Sequence, residues 1–249
     1  MTIRGFRIPL GPYGATLIVT ATLAKLFLAY AYRGNFDQES YEIVQELVLA
    51  GKPVYCETYR YVQTPLWFHF LWVFGKLSQL SGLPSHFVIR STLTCVDLIS
   101  AVLIYKIGKA SGARAELAAF LFLVNPVAIL LTGYHGQFEN LTLLGILGAV
   151  YVQMRGNPMS TVTRLKAWGL TTLAVVLKHN VMFAPVYVLS LAFPTAWSRL
   201  LAMGATGVVF LLTFLPYVPE CGEKIVEHVF RYASVVRPYG IPYFFPETV

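Results

Sequence analysis

Charge is scarce in this sequence. Only 12% of its 249 residues are Asp, Glu, Lys or Arg, about half the share in a soluble domain, whereas 56% are hydrophobic and mean hydropathy is +0.61. That shortage excludes an ordinary soluble domain and points to a membrane protein. Acids are scarcer than bases, 12 against 19, for a formal charge of +7. The excess does not mark a nucleic-acid partner, because the basic residues sit in short clusters between apolar runs instead of lining one polar face. Cysteine is nearly missing: Cys56, Cys95 and Cys221 are too few and too dispersed to suggest a disulfide framework or a zinc site, and they leave the redox compartment unread. No glycine-rich nucleotide cradle and no Gly-x-Ser-x-Gly elbow occurs, which disfavours a nucleotide-dependent enzyme. There is no internal repeat, low-complexity tract or soluble-domain linker, so the chain reads as one membrane module.

Long apolar runs are what it does have. The first, Gly14 to Tyr32, follows Arg4 and Arg7, exceeds the apolar core of a signal peptide and is followed by no small-residue cleavage site before Asp37, so it is expected to be a retained span. Six more follow: Phe87–Ile107, Leu117–Thr132, Leu141–Met154, Leu165–Leu177, Val181–Phe193 and Leu200–Leu215. The expected fold is therefore all-α, a bundle of about seven transmembrane helices over residues 1–215, with 216–249 as a following outer loop. Lys and Arg in short connections orient it. With the N-terminus cytoplasmic, the inner segments collect Arg4, Arg7, Lys106, Lys109, Arg114, Arg155, Arg164, Lys166 and Arg199. Residues 33–86, the turn at 133–140, the turn at 178–180 and the chain after Pro216 then face the trans side. Residues 165–193 could form one long helix, but Lys178 and His179 at mid-bilayer would be costly, which favours a hairpin broken there.

The first outer segment carries its own periodicity. Between Gln38 and Ala50, Tyr41, Val44, Leu47 and Val48 recur at helical spacing with Glu39, Glu42, Gln45 and Glu46 between them, predicting an amphipathic helix on the membrane surface. "PLWFHFLWVFGKLSQL" from Pro65 is rich in Trp and Phe and predicts a second interfacial helix.

Polar residues cluster where the apolar runs end. Asp37 has two readings: an N-cap of the amphipathic helix, or a general base whose carboxylate takes a proton from an acceptor hydroxyl. In "GYHGQFENL", His135, Gln137, Glu139 and Asn140 supply more hydrogen-bonding capacity than a reversal needs, which suits a polar substrate. His135 and Glu139 could also offer ligands to a divalent metal, although no third ligand stands at a known spacing. "LKHNVMFAP" puts Lys178 and His179 at a helix tip, where they either snorkel to headgroups or neutralise a lipid phosphate. Arg60, between Tyr59 and Tyr61 in "TYRY", suits a lipid headgroup, a substrate phosphate or a sugar. Arg90 and Asp97, two turns apart on one helix face, are expected to satisfy polar partners inside the bundle.

Taken in order, "AGKPVYCETYRYVQTPL", "DLISAVLIY", "NPVAILLTGYHGQFENL" and "LKHNVMFAPVYVL" after an outer acid resemble the GT-C superfamily of polytopic glycosyltransferases, in particular the dolichyl- and polyprenyl-phosphate-sugar-dependent mannosyl- and glucosyltransferases. The resemblance implies a catalytic module with its essential acid in the first outer loop, a lipid-phosphate hexose donor, and a glycan, glycolipid or other hydroxyl acceptor. Asp37 matches the catalytic acid. Glu39 completes the position of an Asp-x-Asp motif, and Tyr61, His135, Gln137, Glu139 and Asn140 fall on the substrate side. Lys178, His179, Arg60 and Arg231 fall on the donor-phosphate side. Val62 and Gln63 interrupt the mannosyltransferase pattern, and Gln137 stands where the glucosyltransferases often have a second histidine, so neither sugar nor acceptor carries over. The family usually continues through further spans beyond the equivalent of "VFRYASVVRPYGIPYFFPETV", which resembles one of its outer loops.

Overall fold

The computed structural model describes residues 12–231, apart from 158 and 182. The described residues are all helical or connecting, with no strand. Helix α1 (Pro12–Ala31) leads into α2 (Phe36–Leu49), the short α3 (Val54–Glu57), α4 (Pro65–Ser81) and the long α5 (Ser85–Ala110). Helices α6 (Ala115–Val124) and α7 (Pro126–Leu130) continue into a π-helical turn, Leu131–His135. Then come α8 (Glu139–Arg155), α9 (Thr161–Leu177), a 3-10 turn (His179–Val181), α10 (Ala184–Ala192), α11 (Ala196–Leu212) and α12 (Val218–Ile225).

Among the described residues three helices are long and apolar enough to cross a membrane: Tyr13–Ala31, Ser85–Ala110 and the run Ala196–Phe230, which is kinked at Cys221. A fourth counts if α6 and the Pro126–His135 segment form one crossing. That pair bends by 46° at Asn125. Pro126 brings no N–H and clashes with a helical predecessor, and the Asn125 side chain instead caps the new helix by accepting from the Val127 N–H at 2.9 Å. The expected single span Leu117–Thr132 is thus broken. The run expected to end at Leu215 stays helical to Phe230, so the described part of the proposed 216–249 loop is helix; residues 232–249 lie outside the described residues.

Contacts fix the directions. Lys25 meets Asp97 and Tyr30 meets Phe87, so α1 and α5 are antiparallel. Asn140 meets Asp97 while Lys106 lies over Tyr151, so α5 and α8 run parallel. Gly145 presses on Ala174 and Gly156 on Thr163, making α8 and α9 antiparallel. Trp168 donates to Ala202 O and Thr172 shares a hydrogen bond with Thr206, so α9 and α11 are parallel. The break at Lys178 is present as expected, and α10 folds back against α8 and α9 through Val188 and Ala192. As a result the ends of α1, α7 and α9 and the starts of α5, α8 and α10 gather at one end of the bundle.

That end is covered by α2 and α4, packed side by side. Gln45 donates to Leu71 O at 2.9 Å, and Gly75 admits Gln45 and Leu49 against the α4 backbone. Tyr41, Trp67 and Phe138 form the centre of an aromatic core, the last two stacked at 3.9 Å. The same core holds Tyr55, Phe68 and Phe214.

One correction concerns cysteine. Cys56 and Cys221 are disulfide-bonded across 165 residues, with Cα atoms 5.4 Å apart, tying α3 to α12. Dispersion along the chain does not forbid pairing when folding brings both ends to one pole. Reduction, or Cys221→Ser, is expected to lower stability by about 2–4 kcal/mol. A thermal melt with and without reductant checks this, and the variant should no longer respond to reductant.

Candidate functional site

Asp37 is the second residue of α2, not its cap. Asn35 caps the helix, its side chain accepting from the Gln38 N–H at 3.4 Å, so the N-cap reading of Asp37 is corrected. Freed from that duty, the partly buried Asp37 carboxylate accepts from Gln137 Nε2 at 2.5 Å. Beside it, Asn35 Nδ2 and His135 Nδ1 are 2.5 Å apart, which requires His135 Nδ1 to accept and hence the Nε2 tautomer. Two short chain segments, 35–37 and 135–137, therefore run edge to edge.

They form one wall of a cavity of about 650 Å³. Asp37, His135, Gln137, Glu139 and Asn140 line it, together with Asn35, Asp97 and Thr132. Phe122, Leu131 and Leu143 make its other side apolar. The bend at Asn125 borders this space, which is lined by Phe122 on one side of the bend and Ala128 on the other.

Sequence reasoning missed Asn35, Thr132 and the involvement of Asp97. The "N-x-D" spacing in "NFDQ" held a signal for Asn35, since both residue types cap helices well and only one can. Asp97 Oδ2 accepts from Lys25 Nζ at 2.6 Å and Thr132 Oγ1 at 2.8 Å, while Oδ1 accepts from Asn140 Nδ2 at 3.0 Å. Lys25 and Asp97 are buried to 2% and 3% side-chain exposure. Asn140 is thus held by Asp97 and by the carbonyl of Leu93 at 2.8 Å.

The cationic tip is differently placed from the simple expectation. Lys178 is buried, lies 4.6 Å over the Phe138 ring and donates to Glu139 at 2.5 Å. The His179 imidazole turns into a smaller, mostly apolar cavity of about 190 Å³ between α9, α10 and α11. Burial first, and then the Lys178 charge, hold His179 below its ordinary value of 6.5, so it is neutral at pH 7. Lys178 and His179 therefore present one positive charge, already engaged by Glu139. An unfolded chain takes up this proton near 6.5 while the folded chain resists it, so stability contributed above that pH is lost as the pH falls toward the folded value. The drop in melting temperature between pH 7.5 and 5.5 should be smaller in His179→Gln than in the parent chain.

Like Lys178 and His179, four more expected residues, Glu39, Arg60, Tyr61 and Arg231, do not join the cavity wall. Arg60 pairs with Glu39 at 3.1 Å and lies 3.9 Å over the Phe36 ring, which leaves both side chains on the α2 surface near Asp37. Tyr61 is buried in the aromatic core. Its hydroxyl donates to Thr64 O at 2.5 Å and accepts from the Phe68 N–H at 3.0 Å, so it shapes the entry to α4. Arg231 is exposed at the last described position. No group of three or more His, Cys, Asp or Glu among the described residues is placed to hold a metal ion, and His135 with Glu139 gains no third ligand.

No protein-family model matches this chain, and no curated protein or solved structure is significantly similar to it. Fold and site together define an all-helical, strongly apolar bundle with a carboxylate-bearing cavity at one pole.

Proposed function

We propose that this protein is an inverting glycosyltransferase of the GT-C type, moving a hexose from a polyprenyl-phosphate sugar to an acceptor hydroxyl on the trans side of the membrane. The observation that carries the reading is Asp37: a carboxylate with no capping role, oriented by Gln137 at the polar end of a cavity whose other end is apolar. Asp37 removes the hydroxyl proton as that oxygen attacks the anomeric carbon, and the lipid phosphate leaves with the bonding pair. Lys178 is paired with Glu139 of the cavity wall, and it stabilises the leaving phosphate by exchanging Glu139 for it. His135, Gln137 and Asn140 contact the sugar or acceptor; Arg60 and Glu39 line the approach.

The three span-length helices, the bent α6–α7 pair as a fourth, and the reversals of direction from α1 to α5 and from α8 to α9 support a multi-pass topology, with the N-terminus cytoplasmic and the site lumenal or extracytoplasmic. Helix α4 starts where Thr64 Oγ1 donates to Leu177 O at 3.0 Å and ends close before α5 begins at the same pole, which supports an interfacial placement for α4 and its neighbour α2.

The test is transfer from defined polyprenyl-phosphate hexoses by the purified protein, with the product's anomeric configuration read by NMR. Transfer with inversion is expected. Retention, or no transfer with any hexose donor, overturns the reading. A flippase for an amphipathic anion is the alternative that the bent helix at Asn125 favours, and movement of a labelled lipid phosphate across vesicles without any transfer would establish it.

A further inference from the structure

Arg90 is fully buried on α5, yet among the described residues no carboxylate lies within ion-pair distance of it. Its guanidinium is spent on main-chain carbonyls instead. Nη1 donates to Tyr32 O at 2.7 Å and reaches Gly133 O at 3.5 Å, while Nη2 donates to Arg33 O. The first and last of these acceptors follow the end of α1, where helical carbonyls run out of partners and a cation is favourable. Gly133 belongs to the π-helical turn of a different run.

Two glycines show how tightly the two segments close on it. Gly34, at φ +104°, has no room for a Cβ, which would stand on the Arg90 guanidinium and against Tyr134 O. Gly136, at φ +68°, would place one 3.1 Å from Gln38 Oε1 and 3.4 Å from both Arg90 Cγ and Nε. Each glycine is one residue from the pair already described: Gly34 precedes Asn35, and Gly136 lies between His135 and Gln137.

We propose that Arg90 is a positioning residue. By holding residues 32–34 and residue 133 on one guanidinium, it sets the segment bearing Asp37 against the segment bearing Gln137, and so fixes the carboxylate's direction from beneath. The proposal rests on Asp37 acting as the base only for its consequence on transfer; the clamp itself has a separate readout.

Amide hydrogen exchange of the purified full chain provides it. Arg90→Met and Gly34→Ala should each speed exchange about tenfold in peptides covering 32–41 and 131–138, with α9 unchanged. Gly82→Ala serves as the control, since Gly82 also has a positive φ, +69°, but open space around its Cβ position. It should leave both segments protected. Arg90→Lys, with one ammonium for three carbonyls, should restore protection in part.

In the transfer assay, Arg90→Met and Gly34→Ala should lower kcat by roughly 10- to 100-fold with KM little changed, as expected when a reacting group is misplaced by about an ångström. Unchanged exchange in both segments overturns the proposal, and so does faster exchange spread over all helices, which marks a residue that only holds the fold. Localised loosening in a protein whose parent chain transfers no sugar leaves the clamp standing and removes the glycosyltransferase reading.

Discussion

Asp37→Asn is expected to reduce sugar transfer by about 10²- to 10⁴-fold, the range a positioned general base contributes. The substitution is nearly isosteric, and because Asn35 supplies the cap, α2 should keep its start and the protein its melting temperature. An asparagine side chain can still meet Gln137 through its amide oxygen, so the geometry survives while proton acceptance is lost. Gln137→Ala should act more weakly, lowering kcat without abolishing it, because it removes the group that aims the carboxylate and leaves the carboxylate itself. Initial rates with the two variants, alongside melts of each, check this ordering. Full activity in Asp37→Asn would show that Asp37 takes no proton from the acceptor.

Asp97→Ala is expected to be the most damaging single change to the fold. It leaves Lys25 charged at a depth where α1 and α5 are both apolar, and it strips acceptors from Thr132 and Asn140 at the same time. Breaking a buried pair by removing one partner costs about 3–5 kcal/mol. The double variant Lys25→Met, Asp97→Leu should recover much of that loss, since it removes the stranded charge along with its partner. Yield of monodisperse protein in detergent and the melting temperatures of the two singles and the double give the coupling. An Asp97→Ala protein as stable as its parent would mean that water reaches Lys25.

Much of this architecture was legible as apolar runs and their interruptions. The hairpin break at Lys178 could be read because two polar residues fall in the middle of a stretch otherwise long enough for one helix. The approach of 133–140 and 178 to the segment 33–86 followed from counting reversals: Gln137 meets Asp37, Thr64 meets Leu177 beside Lys178, and Lys178 meets Glu139. Lys25 escaped notice because one cation in a run like "IVTATLAKLFLAYAY" hardly lowers its average hydropathy, and its partner lies 72 residues away. The Cys56–Cys221 bond was hidden for a related reason: pairing depends on which pole each residue reaches, and the helical course of 216–230 was not visible in its composition. Arg90 and Asp97 were expected to share one role because they share a face. They diverge because Asp97 faces a lysine and Arg90 faces main-chain carbonyls of two separate segments.

The bend at Asn125 has a further consequence for where solvent must go. Pro126 cannot cover the carbonyl of Phe122 as the fourth residue of a regular helix would, and Val127 gives its N–H to the Asn125 side chain instead of to the turn before. Hydrocarbon offers such carbonyls nothing, whereas Phe122 borders the cavity that Asp37 shares. The kink therefore sets backbone carbonyls that have lost their regular helical partners beside the cavity, in a wall that is otherwise apolar.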